Sequence, residues 1–211
     1  MELDERLIWS NDPRCPHGRI CGLLGQDTVA AMLDYVAEHE AAFKPGGIRK
    51  RGSGERVVDP AILHSRGMRG LGPFQDRVET IVRTIAPVAI ARLGLMENAV
   101  EPREFEFASY GDGGHFNAHT DTFDRTERLR ILSCVYYFAV TPPCFSGGEL
   151  RLHGFPSRNG AAAVATIAPE TDMMVMFPSW MFHEVLPVHV SSGAWMHRRF
   201  SINCWVHRAE S

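Results

Sequence analysis

The sequence predicts a mainly β protein with N-terminal helices, in which a double-stranded β-helix (jelly-roll) core packs against the helices. Amphipathic helical patterns are confined to the first part of the chain. Beyond it, short apolar segments follow one another at about 8–12-residue spacing, with glycine and proline between them, which is typical of a sandwich or barrel. We therefore expect a single domain over residues 1–211, with a helical part at 1–100 and a jelly-roll core at 101–208.

The N-terminal part contains two helical patterns. The first follows Asp27, a residue suited to cap a helix, and keeps apolar residues at helical spacing to about Ala42. The second opens at Pro73. Proline inside a helix removes a backbone donor, so Pro87 is expected to break or kink this helix before a last turn to Gly94.

A basic, glycine-containing segment at about residues 44–58 lies between the two helices. It carries Arg49, Lys50, Arg51 and Arg56. A flexible, solvated loop is the simpler interpretation. The alternative is a mobile flap over a pocket, whose cations attract an acidic group.

The strands of the core follow in order. Phe105 and Phe107 alternate with Glu104 and Glu106, which indicates a half-buried strand. Further strands are expected at the segments 130–140, 148–152, 162–167, 173–177, 182–188 and 199–206.

Composition restricts the partners and the location. The formal net charge of −3 and the sequence pI near 6.4 give no reason to expect nucleic acid or a membrane as partner. No apolar run approaches the roughly 20 residues of a membrane span, and the acidic N-terminus does not resemble a signal peptide. The five cysteines are odd in number and irregularly spaced, which favours reduced thiols in a cytoplasmic protein. The sequence leaves the oligomeric state open.

His119 and Asp121 form a His-x-Asp triplet. If a strand follows Tyr110, these two side chains project from the same face and reach one ion. A third ligand is needed, and His183 is the best candidate. Two histidines and one carboxylate leave three coordination positions free, which suits non-haem Fe(II) and oxygen chemistry. The triplet alone is a weak signal, and a polar surface turn is the alternative.

Arg199 is the second chemical candidate. It shares one face of the last predicted strand with Ser201, Asn203 and Trp205. If the opposite face, with Phe200, packs into an apolar layer, Arg199 points into the barrel. A buried guanidinium needs a partner, and a bound carboxylate would provide one, because arginine binds carboxylates in a bidentate manner. The alternative is that Arg199 reaches solvent at the rim.

The order of these residues resembles that of the Fe(II)- and 2-oxoglutarate-dependent oxygenases, and most closely their prolyl 4-hydroxylase branch, which includes the oxygen-sensing prolyl hydroxylases. The resemblance covers about residues 105–207. It rests on His119-x-Asp121, on the arginine six residues before Trp205, and on three segments, which are Cys134–Phe138, Ser146–Arg151 and His183–Val188.

The resemblance implies Fe(II) as the metal, with 2-oxoglutarate and O2 as co-substrates. It implies that His119, Asp121 and His183 bind the iron. Arg199 would bind the far carboxylate of 2-oxoglutarate, with the Tyr137 hydroxyl as its helper. The other cofactor-binding or pocket-lining residues that it implies are Tyr110, Val135, Leu150, Val185, Ser201, Asn203 and Trp205.

Three functions compete. The first is a hydroxylase of a prolyl residue in a peptide or protein, and the second is a tailoring hydroxylase of a free amino acid or small metabolite. The third is a non-catalytic jelly-roll binding module, which the intact ligand set and Arg199 disfavour. Residues 189–197 make the interval between His183 and Arg199 longer than the family pattern, and a hairpin extension is expected there.

Overall fold

The computed structural model describes residues 6–49, 53–95, 99–122, 129–157 and 160–209. Two α-helices, α1 (Gln26–Glu38) and α2 (Gln75–Arg92), lie in the first half of the chain. Short 3-10 turns occur at Glu40–Ala42, Gly72–Phe74 and Trp195–His197. The strands are β1 (Ile8–Trp9), β2 (Gly18–Cys21), β3 (Lys44–Pro45), β4 (Ile48–Arg49), β5 (Arg56–Val57), β6 (Leu63–His64), β7 (Arg66–Arg69), β8 (Val100–Tyr110), β9 (His115–His119), β10 (Arg130–Phe138), β11 (Ser146–Gly147), β12 (Leu150–Pro156), β13 (Ala162–Ile167), β14 (Met173–Pro178), β15 (Phe182–Val185), β16 (Val188–His189) and β17 (Arg199–Arg208).

The strands form two principal antiparallel sheets. The larger has the order β1-β2-β14-β10-β17-β8-β7-β3, and the smaller has the order β13-β12-β15-β9-β6. Two further two-stranded pairs are β11-β16 and β4-β5. The structure is therefore mostly β with few helices, as the sequence predicts.

The larger sheet has an apolar layer on each face. On the helical side, α1 and α2 bury Met32 and Val82 against Phe107, Phe200 and their neighbours. On the other side, apolar residues of β10 and β14 pack against those of β12 and β13. Because each fully buried apolar side chain contributes about 1.5–3 kcal/mol, these two layers hold the sheets and helices together.

Of the two outcomes predicted for Pro87, a break or a kink, the break is wrong, because Pro87 lies inside helix α2. Pro87 is exposed, so the carbonyl that loses its partner is on the solvent side of the helix. On the opposite side Ala86, Ala89 and Ile90 are buried. Packing against the sheet therefore outweighs the local penalty of proline.

The N-terminal part is not only helical, which corrects the prediction for residues 1–100. Strands β1 to β7 all precede α2, and β2, β3 and β7 extend the larger sheet. The basic segment 44–58 contains β3 and the β4-β5 hairpin, and its residues 50–52 lie outside the described part. Strands of two to four residues are too short to show a periodic pattern in the sequence. They are stabilised by pairing with a neighbouring strand, which the sequence does not show.

None of the helices in the described ranges has the length and apolarity that crossing a bilayer would require.

The buried Asp172 holds the N-terminus of α1. Its carboxylate accepts hydrogen bonds from the backbone N–H groups of Leu24 and Gly25 and from the Tyr136 hydroxyl. We expect Asp172→Ala to lower the free energy of unfolding by about 2–4 kcal/mol, because three donors, of which those of Leu24 and Tyr136 are buried, lose their acceptor. Urea denaturation checks this value. Asp27→Ala is the matched control, since no side-chain hydrogen bond of Asp27 caps this helix, and an equal loss in both variants would contradict the assignment.

Candidate active site

His119, Asp121 and His183 meet between the two sheets. His119 ends β9 and lies directly opposite His183 on the paired strand β15, while Asp121 follows β9 in a bend. The donor atoms of the three side chains lie within 4.8 Å of one another. Nε2 of His119 is 3.7 Å from Oδ1 of Asp121, and Nε2 of His183 is 3.6 Å from Oδ2. These separations allow all three to bind one ion.

The backbone presents the same nitrogen of both histidines to this point. Nδ1 of His119 lies 2.8 Å from the Asn117 carbonyl oxygen, and Nδ1 of His183 lies 2.9 Å from that of Met181. A carbonyl oxygen can only accept, so each Nδ1 is the protonated, donating nitrogen. Nε2 is then the free acceptor in both rings, which is the arrangement usual for metal-binding histidines.

The carboxylate of Asp121 is held from the opposite side. The Ser133 hydroxyl donates to Oδ2 over 2.6 Å and also contacts the Ser179 hydroxyl at 2.9 Å. The Trp205 side chain lies near this carboxylate and helps to lower its pKa. In addition, the backbone N–H of Asp121 donates to the Ser179 carbonyl. Asp121 is therefore fixed independently of any ligand.

The protonation states suit metal binding. Burial, and then the nearby His183, lower the pKa of His119 to about 3. Burial alone would raise the pKa of Asp121, but the two histidines and the hydrogen bond from Ser133 outweigh it and lower the pKa. At neutral pH the site presents a neutral imidazole at His119 and an ionised carboxylate, the forms that bind a metal.

Arg199 is buried in the same interior, with only 1% of its surface exposed. Its Nε donates to the Gly148 carbonyl over 2.9 Å, and its guanidinium carbon lies 4.9 Å and 4.8 Å from the ring centroids of Tyr110 and Tyr137. Among the described residues no carboxylate is within ion-pair distance, and neither Nη1 of Arg199 nor the Tyr137 hydroxyl has a hydrogen-bond partner. These groups can receive a carboxylate.

The Gly147-Gly148 turn makes room for this guanidinium. Both residues have positive φ, at 73° and 71°. A Cβ on Gly148 would lie 2.7 Å from Cδ of Arg199, and one on Gly147 would lie 2.2 Å from the Pro187 carbonyl oxygen. Only glycine satisfies both the backbone conformation and the close approach.

The other predicted residues lie around Arg199 and between Arg199 and Asp121. Val135 and Leu150 pack in one apolar cluster with Tyr137, and Val185 packs in another with Tyr110. Ser201, Asn203 and Trp205 follow Arg199 along the inner face of β17 and continue from the guanidinium towards Asp121.

Residues 105–207, about half of the chain, match the family model of the 2OG-Fe(II) oxygenase superfamily. This part of the chain belongs to that superfamily. An uncharacterized PKHD-type hydroxylase of Synechocystis is 30% identical over 126 residues, which are 58% of this chain and 42% of that protein. The chain thus spans less than half of that relative. A PKHD-type hydroxylase of Acidovorax ebreus is 26% identical over 178 residues, covering 80% of this chain and 70% of that one.

Solved structures share the fold. A Pseudomonas putida prolyl-4-hydroxylase aligns with a TM-score of 0.66 at 23% identity, over 91% of this chain and 92% of that chain. A Trichoplax adhaerens prolyl hydroxylase in complex with a peptide of the hypoxia inducible factor oxygen degradation domain aligns with a TM-score of 0.64 at 21% identity, over 91% and 83%. The chain therefore shares the fold of prolyl hydroxylases.

The superfamily uses Fe(II), 2-oxoglutarate and O2, and the described residues of this chain fit these groups. The two imidazoles and one carboxylate match the donor set of Fe(II) oxygenases. The unpartnered guanidinium nitrogen and phenolic hydroxyl fit the far carboxylate of 2-oxoglutarate.

Several contributors to this candidate site were not recognised in the sequence. The Ser133 hydroxyl bonds to Asp121, and its place two residues before Val135 on the same strand was the available signal. Phe116 stacks on His119 with ring centroids 3.5 Å apart, and Phe177 contacts His183 edge-on at 4.7 Å. The Ser179 contacts lie in a turn that has no sequence signature.

A salt-bridged network adjoins the Asp121 side of the site. Glu104 accepts two hydrogen bonds from Arg130, each of 2.7 Å, and one from His207 at 2.8 Å. Arg130 also donates to the Asp121 carbonyl and lies over the Trp205 ring. The network therefore supports the backbone of Asp121 and the indole that lies near its carboxylate.

This network makes stability depend on acid pH. Burial would raise the pKa of Glu104, but the hydrogen bonds from His207 and Arg130 lower it from 4.5 to about 2. The folded pKa is below the unfolded one, so the contribution is complete above pH 4.5 and is lost as pH falls towards 2. Urea unfolding from pH 6 to pH 2 should show a steeper decline for the wild type than for Glu104→Gln. Glu79→Gln, on the surface of α2, should follow the wild type.

Proposed function

We propose that the protein is a Fe(II)- and 2-oxoglutarate-dependent dioxygenase that hydroxylates an unactivated C–H bond of a prolyl residue in a peptide or protein. One observation carries the reaction class. Three metal-binding donor atoms lie within 4.8 Å of one another, in the same interior as a buried arginine that lacks a carboxylate partner among the described residues. The choice of a prolyl residue is supported by the similarity to prolyl hydroxylases, one of which is bound to a peptide.

In this proposal His119, Asp121 and His183 hold Fe(II), and Arg199 with the Tyr137 hydroxyl holds the far carboxylate of 2-oxoglutarate. The bound iron supplies the activation of O2, which is coupled to the oxidation of 2-oxoglutarate. Tyr110 confines the guanidinium from the other side, at 4.9 Å from its ring. Phe116 and Phe177 pack against the two imidazoles and restrict their orientation.

We infer that the two facing sheets form the double-stranded β-helix of this superfamily, and that residues 1–211 form one domain. A cytoplasmic location is supported by the five cysteines, all of which are unpaired. An intact donor set argues against a purely structural binding module.

Residues 189–197 do not form a simple hairpin: β16 pairs with β11, and Trp195 donates from its indole to the Val36 carbonyl of α1. The insertion is thereby anchored to α1.

The test is succinate release by the purified protein with Fe(II), ascorbate and 2-oxoglutarate in air. The candidates are proline-containing peptides, free proline and other free amino acids, with mass spectrometry to detect one added oxygen. We expect stimulated succinate release with a proline-containing peptide and none under nitrogen or with EDTA. Stimulation by a free amino acid alone would replace the peptide substrate by a small metabolite. Absence of 2-oxoglutarate turnover in every sample would overturn the reaction class.

A further inference from the structure

Glu106 belongs to a row of inward-facing residues that crosses the larger sheet. Arg69 of β7 lies opposite Glu106 of β8, Glu106 lies opposite Asn203 of β17, and Asn203 lies opposite Val135 of β10. Residues directly opposite one another in paired strands share a face. Since Asn203 alternates with Trp205 on β17, Glu106 faces the interior that contains the candidate metal site.

This row lies between the two ends of the site. The next row in one direction contains Glu104 and Trp205, and Trp205 lies near Asp121. In the other direction the second row contains Tyr110 and Arg199. Alternate residues of a strand are about 7 Å apart, so Glu106 is one such step from the indole that lies near Asp121 and two from Arg199.

The Glu106 carboxylate has little to balance its charge. Asn203 Nδ2 lies 3.5 Å from Oε1, a long hydrogen bond, and no ion pair involves Glu106 within the described ranges. Burial raises its pKa, although part of the residue remains accessible to solvent. This combination is typical of a carboxylate that lines a cleft. A desolvated carboxylate without a cation is costly, which is the situation that a ligand can relieve.

Three arginines act electrostatically on Glu106, but they do not take the place of a cationic ligand. Arg130 is neutralised by its two hydrogen bonds to Glu104. Arg56 and Arg69 are exposed, so solvent screens their charges, and neither reaches the carboxylate. A cation beside Glu106 would therefore meet a carboxylate that has no ion pair within the described part of the chain.

We propose that Glu106, with Asn203 beside it, is a substrate subsite that binds a positively charged nitrogen next to the hydroxylated residue, so that lysine- or arginine-containing peptides are preferred. This proposal rests on the proposed function, because it assigns the substrate class of the same site. Hydrogen bonds between charged groups are roughly twice as strong as neutral ones. A neutral side chain leaves the carboxylate unpaired, and an acidic side chain is repelled by it.

The experiment uses synthetic peptides with a single proline and either lysine, glutamine or glutamate on each side of it. Binding is measured by fluorescence anisotropy of labelled peptides, and kcat/KM by oxygen incorporation. For the wild type we expect the lysine peptides to exceed the glutamine peptides by roughly tenfold or more in both measurements, with the glutamate peptides weakest.

The variants identify the group responsible. Glu106→Gln should remove the preference, Glu106→Lys should reverse it towards glutamate, and Glu106→Asp should retain part of it. Glu101→Gln is the matched control, because Glu101 lies on the same strand and is paired with Arg103, and it should keep the wild-type preference. If Glu106→Gln does not fold, Glu106→Asp and Glu106→Lys provide the comparison.

Two outcomes would overturn the subsite separately from the function. Equal binding of all peptides by the wild type, or an unchanged lysine preference in Glu106→Gln, would remove Glu106 from substrate recognition while leaving the dioxygenase reaction intact. Absence of any 2-oxoglutarate turnover would instead overturn the proposed function, and the anisotropy comparison would still test the charge preference.

Discussion

Replacement of His183 by alanine is expected to abolish 2-oxoglutarate turnover and to weaken Fe(II) binding by at least about 100-fold. His183 supplies one of only three protein donors, and Asp121 and His119 alone hold a divalent ion loosely. Loss of an outer-sphere partner already costs about 10–100-fold in metal affinity, so loss of a ligand should cost more. Asp121→Ala should have the same effect. Metal titration followed by equilibrium dialysis measures the affinity, and succinate release measures the turnover.

A histidine on the other face of the same sheet provides the control. His153 of β12 lies opposite Phe182, and its neighbour Leu152 lies opposite His183, so His153 and His183 point to opposite faces. His153 contacts Glu184 at 3.1 Å, away from the cluster. His153→Ala should therefore bind Fe(II) like the wild type. Full iron binding by His183→Ala would show that the cluster is not the metal site.

The reaction class was predictable because its residues occupy strands with clear alternation. β17 is ten residues long, so its face assignments fix Arg199 inside and Phe200 against the helices. His119 and His183 are brought together by the pairing of β9 with β15. The sequence does not show this pairing directly. The prediction that the two histidines meet came from the spacing of the ligands in the family pattern.

Other features could not be predicted, for two physical reasons. The strands β3, β4 and β5 have two residues each, which is too short for any periodic pattern. The support of Asp121 by Ser179 depends on a turn that approaches β10 only in the folded chain. In the same way, a sequence does not show that Pro87 faces solvent, the circumstance that lets α2 continue through it.

The substrate preference is the least accessible of these properties. Glu106 was recognised only as a polar residue in an alternating strand, which usually means a solvated face. Its inward orientation follows from pairing with Asn203 on β17, because the polar face of β8 is the one that lines the site. Alternation thus identified the two faces of the strand, but the sheet topology decided which face is functional.

Arg199→Ala is expected to raise the KM for 2-oxoglutarate by about 100-fold or more. The variant would lose a charge-assisted, bidentate pair. The far carboxylate would then lie unpaired in a site that is shielded from solvent, since only 1% of the Arg199 surface is exposed in the wild type. Arg199→Lys should recover only part of the loss, because an ammonium cannot reproduce the planar fork of a guanidinium. Tyr137→Phe should raise the KM by a smaller factor, since it removes one neutral hydroxyl and keeps the ring beside Arg199. The measurement is the KM for 2-oxoglutarate in the succinate assay.

Arg198 supplies the control for this series, since it is adjacent in sequence but lies over the Trp195 ring on the helical side. Arg198→Ala should therefore leave the KM for 2-oxoglutarate close to that of the wild type. A non-specific loss of folding would lower kcat, whereas loss of the carboxylate contact raises the KM for 2-oxoglutarate first. The Gly148 carbonyl, which accepts from Arg199 Nε at 2.9 Å, holds the guanidinium in place before any ligand enters. An unchanged KM in Arg199→Ala would mean that this pre-positioned cation serves another purpose.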